Sequence, residues 1–136
     1  SAVPGERVTI IDYVITSNAE SIVDQMKSCL AGGVEIDLIV DKSSANERQL
    51  KKCFAEKNLV RPTIYERKED EGRWYKVHAK VIIIGDRQML VSSANLTELG
   101  TEVNFELGLL VRGPTVKKML ALVRKMIADE YFVEAD

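Results

Sequence analysis

The first strongly patterned stretch, "RVTIIDYV" (7–14), is rich in β-branched and aromatic residues and predicts a strand. Ser17 or Asn18 can cap a helix after it, in which Ile22, Val23, Met26, Cys29 and Leu30 recur at helical spacing until Gly32 and Gly33 stop it. "VEIDLIV" (34–40) predicts a second strand, and strand, helix, strand in so short a span is a parallel crossover by default. A second helix over 44–58 puts Leu50, Cys53 and Phe54 on one face and leaves Arg48, Lys51, Lys52 and Lys57 for solvent. "PTIYERKEDEGRWYKVHAKVIIIG" then reads as two strands joined by a charged turn at 68–72, a solvated hairpin tip. "QMLVSS" and "VNFELGLLV" predict two more strands. Pro114 opens a last helix with Val116, Met119, Leu120, Val123 and Ile127 turned inward. "KVIIIG" is apolar on both faces, as a strand covered on both sides must be. The order predicts an α/β fold, a mixed β-sheet flanked by helices on both faces, as a single domain over residues 1–136.

Composition narrows the class. The 136 residues are 46% hydrophobic and 29% charged, which fits a globular protein and argues against disorder. The formal charge of −2 gives no overall basic footprint, so a polyanion would have to be held by a local patch. No apolar run approaches the roughly 20 residues that cross a bilayer, and "SAVPGERVTI" lacks the basic and apolar regions of a signal peptide. The expectation is a cytoplasmic protein with no membrane partner. Cys29 and Cys53 match no metal-ligand spacing and are expected to be buried free thiols. The chain opens on Ser1 without a methionine and stops at "EYFVEAD", which leaves open whether it is a piece of a longer protein.

The single histidine is the chemical feature. His78 and Lys80 share a strand face, since alternate residues point the same way, with Ile82 and Ile84 continuing the same column. A tight turn at "GDR" and the returning "QMLVSS" bring Ser92, Ser93 and Asn95 back beside them. A nucleophile or base, a fixed cation and several neutral donors suit a phosphate: lysine and asparagine can hold the non-bridging oxygens, and imidazole can attack phosphorus or move a proton near neutral pH. Taken alone, His-x-Lys also describes a surface histidine at a strand end beside a snorkelling lysine.

The longer stretch "HAKVIIIGDRQMLVSSANLT" resembles the HKD signature of the phospholipase D superfamily: His-x-Lys, four residues, Asp, six residues, Gly/Ser-Ser-x-Asn. His78, Lys80, Ser93 and Asn95 stand at the matching positions, so the motif runs over 78–95. "NFELGLLV" resembles the downstream Asn-x-Glu stretch of the family and puts Glu106 where a carboxylate supports the histidine. "ITSNAESIVDQMKSCLAGGVEIDLIVD" is similar to the helix, glycine and strand that precede the motif. One position departs: the family's aspartate falls on Gly85, and the carboxylate stands one residue later, at Asp86, where a supporting role in the turn is expected. "NLT" at 95–97 also matches a glycosylation acceptor, a reading of little weight without a secretory signal.

The resemblance implies catalysis by His78, Lys80, Asn95 and Glu106, with Lys80, Ser93 and Asn95 on the phosphate, and neither metal nor cofactor. It also implies two histidines, one forming a phosphohistidine and the other protonating the leaving oxygen. With one histidine per chain, a two-fold homodimer with the motif face at its interface is expected. Three functions remain: a metal-independent endonuclease acting on DNA, a lipid phosphodiesterase, and a catalytically silent module for dimerisation or DNA binding. The absence of a basic amphipathic helix counts against lipid. Arg61, Arg67, Lys68, Arg73 and Lys76, with Trp74 and Tyr75 among them, offer a grip on a nucleic-acid backbone. Nucleic acid is the expected substrate.

Overall fold

Strand β1 (Arg7–Asp12) is buried on both faces and lies at the middle of the sheet, with five of its six residues buried. The computed structural model describes residues 1–13, 20–41, 44–57, 59–68, 77–93 and 107–135. Helix α1 (Glu20–Ala31) follows and gives way, through Gly32 and Gly33, to β2 (Glu35–Val40), which pairs parallel with β1. The expected cap residues Ser17 and Asn18 lie outside the described residues. Helix α2 (Ser44–Cys53) ends earlier than its apolar spacing predicts, and β3 (Thr63–Arg67) then pairs parallel with β2.

β4 (Val81–Ile84) turns through Gly85–Arg87 into β5 (Gln88–Ser92), and β6 (Gly108–Arg112) adds antiparallel to β5. Helix α3 (Pro114–Ala128) begins on its proline, and a short β7 (Phe132–Glu134) closes the chain against β3. The order across the seven-stranded sheet is β6-β5-β4-β1-β2-β3-β7. The expected pairing of β3 with β4 in a hairpin is therefore wrong: β1 and β2 stand between them. Both slots beside β2 are occupied by parallel strands, β1 and β3, so the chain must cross the end of the sheet to reach the open side of β1.

Period-two alternation divides the core into two layers. Val8, Ile10, Ile36, Leu38 and Val40 meet Val23, Met26 and Leu30 of α1, Leu50 of α2 and Phe54 just after it. Ile11, Ile39, Val81, Ile83 and Met89 meet Val116 and Val123 of α3 on the opposite face, with Phe132 of β7. The sheet is thus covered by helices on both sides, as expected. Cys29 and Cys53 are free and pack against the first layer, partly rather than fully buried.

The Gly85 turn has its own logic. Gly85 has φ +58°, and a Cβ placed on it would lie 2.6 Å from Glu6 Oε2. Glu6 is fixed there by Arg87, whose Nε donates to Oε2 at 2.8 Å. That contact, with the Val3 amide, holds the Glu6 carboxyl down at about 2. Glycine at the position of the family's aspartate is what this turn accommodates.

Candidate active site

β4 runs antiparallel to β1, so its start lies at the carboxyl ends of β1, β2 and β3. Open α/β sheets place ligands at that end. His78 and Lys80 sit there, just ahead of β4 rather than within it, and the ladder reaches them through Ser92 N, which donates to Lys80 O at 3.0 Å. His78 is exposed and Lys80 half-buried.

Lys80 curls back on the histidine. Its Nζ donates to His78 O at 2.9 Å and lies 3.2 Å from His78 Nδ1. An ammonium has no lone pair, so Nδ1 is the acceptor and the ring proton of the neutral imidazole sits on Nε2. In that form the ring can donate a hydrogen bond through Nε2, whereas protonating an oxygen takes the imidazolium, in which Nδ1 also carries a proton and no longer accepts from Lys80. Attack through Nε2 requires the proton on Nδ1, hence departure of Lys80 toward another anion and a proton acceptor at Nδ1.

The ring is also packed: Tyr13, just past β1, stands 5.0 Å from His78 between centroids at an interplanar angle of 36°. Behind the pair is a polar layer that sequence reasoning did not single out. Asp41, just after β2, is buried, and its Oδ1 accepts from Val77 N at 3.0 Å and from Arg67 Nε at 3.0 Å. Buried Asn46 donates through Nδ2 to Asp41 O at 2.9 Å and to Tyr13 O at 3.0 Å. Asp12 is buried beside them and accepts from Tyr13 N at 2.7 Å. The available signal was a carboxylate at the carboxyl end of a buried strand, where exposure is the ordinary expectation.

The other expected site residues divide into three groups. Ser93 is at the same end, where its Oγ accepts from Leu107 N at 3.1 Å and its amide donates to Leu107 O at 3.0 Å, tying the motif to the start of β6. Asp86 is at the opposite turn, a strand length of roughly 13 Å from the histidine end; it is exposed and 3.9 Å from Lys117 Nζ. Asn95 and Glu106 lie outside the described residues, as do Arg73, Trp74, Tyr75 and Lys76. Of the basic residues expected to grip a polyanion, Arg67 is committed to Asp41 and Lys68 pairs with Glu130 at 3.2 Å. Arg61 lines a cavity of about 330 Å³ between α2 and β3, whose lining also includes Asp41 and Asn46 but not His78.

Among the described residues no group of three or more His, Cys, Asp or Glu side chains is arranged to hold a metal ion. Nor is any described helix long and apolar enough to cross a membrane.

The family described as "Cardiolipin synthase, PLD-like domain" matches residues 2–127. The chain belongs to the phospholipase D superfamily. It is 24% identical over 125 residues to DISARM protein DrmC of Bacillus paralicheniformis, covering 92% of this chain and 52% of that protein. The chain thus spans about half the length of that curated relative. Among solved structures, NucT from Helicobacter pylori superposes with a TM-score of 0.71 at 22% identity, over 95% of this chain and 82% of that one. Nuc from Salmonella typhimurium, a phospholipase D family member, gives 0.66 at 17% identity, over 99% and 84%. The mixed sheet with helices on both faces is the fold of these phospholipase D relatives.

Proposed function

We propose that the chain is a phosphodiesterase, a metal-independent endonuclease acting on DNA, whose active site is shared across a homodimer. The observation that carries this reading is the His78–Lys80 pair, held at the carboxyl end of the sheet with the lysine Nζ 3.2 Å from Nδ1. An arriving phosphate offers Lys80 a better partner than a neutral ring nitrogen, so binding itself releases the imidazole. In the first step His78 Nε2 of one copy forms a bond to phosphorus as the ester oxygen leaves, and His78 of the second copy gives that oxygen its proton. In the second step water, losing its proton to the second histidine, attacks phosphorus and the P–N bond breaks. Glu106 is the expected acceptor for the Nδ1 proton, and Asn95 the expected donor to a non-bridging oxygen.

Exposed apolar surface supports a partner copy. Leu107, Leu109 and Leu110 are 58–67% exposed at and just before the edge strand β6, next to the Ser93 link. The silent-module reading rests on Gly85, but that departure stands at the far turn, where glycine fits.

The test is incubation of purified protein with plasmid, single-stranded DNA and bis(p-nitrophenyl) phosphate, with and without chelator. Cleavage that survives chelation and is lost in a folded His78→Ala variant is expected. Activity abolished by chelator and restored by magnesium would overturn metal independence, and wild-type rates in His78→Ala would overturn the site.

A further inference from the structure

His78 is exposed, so the packing that places a catalytic ring has to come from beneath it. Two groups do this. Val77, the preceding residue, is buried, and its amide is held by Asp41 Oδ1 at 3.0 Å. Tyr13 packs on the ring itself, and its carbonyl is held by Asn46 Nδ2 at 3.0 Å. The two holders are joined, because the same Asn46 amide group donates to Asp41 O at 2.9 Å. Asp41 is in turn fixed by Arg67 at the end of β3.

We propose that Asp41 and Asn46 are positioning residues for His78: a polar brace at the end of β2 that fixes both the backbone leading into the histidine and the aromatic face against its ring. The proposal rests on the phosphodiesterase reading for its kinetic consequence and on the geometry alone for its structural one. Bonds of this length made by buried groups are directional, and they leave the Val77 amide and the Tyr13 carbonyl few alternative partners. A ring held from two sides keeps its line of attack. A ring held from one side samples several, and misplacement by about 1 Å can cost roughly a hundredfold in rate. Substrate binding through Lys80 would be affected far less, which separates the effect from loss of the site.

The chain has one histidine, so an untagged protein gives a single imidazole resonance that reports on the ring directly. The experiment compares the His78 Cε1–Hε1 signal, and the kcat and KM for bis(p-nitrophenyl) phosphate, in wild type, Asp41→Ala, Asp41→Asn and Asn46→Ala. Asp37→Asn, a change at a buried carboxylate within β2 that pairs with Arg7 at the start of β1, is the control for general loss of stability. The brace predicts a shifted or broadened His78 signal in Asp41→Ala and Asn46→Ala, with kcat lowered roughly tenfold or more and KM within about twofold. Asp41→Asn, which keeps an oxygen for the Val77 amide, should fall between. It also carries the comparison if Asp41→Ala does not fold.

An unchanged His78 signal in a cooperatively melting Asp41 variant overturns the proposal. So does the same change in Asp37→Asn at equal loss of stability. Should wild type and His78→Ala prove equally active, the functional reading fails, while the resonance still decides whether Asp41 and Asn46 place the ring.

Discussion

Lys80 contacts a histidine two positions away, and so short a separation is why the pair was legible in the sequence. Asp41 and Asn46 reach Val77 and Tyr13 across 36 and 33 positions, distances over which no local pattern carries information. Gly85 is an intermediate case: the departure from the family's aspartate was visible, but its cause, Glu6 held against the turn by Arg87, is a contact across 81 positions. Restoring the aspartate by Gly85→Asp places a side chain at φ +58° against a carboxylate, and the variant should lose about 2 kcal/mol in urea unfolding. Unchanged stability would show that Glu6 moves aside freely. Glu6 also sets a pH dependence. Its carboxyl is lowered from an ordinary 4.5 to about 2, chiefly by the Arg87 hydrogen bond, so the folded state binds fewer protons than the unfolded state in that window. The stabilisation is present above about pH 4.5 and is lost as pH falls toward 2. Melting curves of wild type and Glu6→Gln should therefore differ at pH 6 and converge near pH 2, with a smaller difference at high salt because the pair is partly exposed.

Long apolar periodicities announced the large elements, including the three helices among the described residues and the strands on which the sheet is centred. What the pattern could not supply was pairing. β3 and β4 are consecutive strands and were expected to form a hairpin, yet they flank β2 and β1 respectively, because pairing depends on the faces that the first strand, helix and strand unit leaves open. β7 was absent from the expectation since three residues show no period. It is held by register with Tyr65–Arg67 and by one anchor, Phe132, buried among Ile39, Val116 and Val123. Phe132→Ala should cost about 3 kcal/mol by the loss of that side chain and the cavity it leaves, measured by chemical denaturation. A cost below about 1 kcal/mol would mean that β7 is dispensable to the second core layer.

Across the whole molecule, the sheet collects the carboxyl ends of β1, β2 and β3 and the start of β4 at one end, and the proposed site lies there with the chain's single histidine. Phosphohistidine chemistry gives the imidazole two simultaneous tasks, so the central claim is that His78 from two copies serves one phosphate. The direct measurement is a titration of inactive His78→Ala into wild type under conditions that allow subunit exchange, reading phosphodiester hydrolysis at constant total protein. A pair containing one mutant subunit lacks either its nucleophile or its acid, and the account predicts activity falling as the square of the wild-type fraction. A straight line, or full activity from protein shown to be monomeric at the assay concentration, would contradict it.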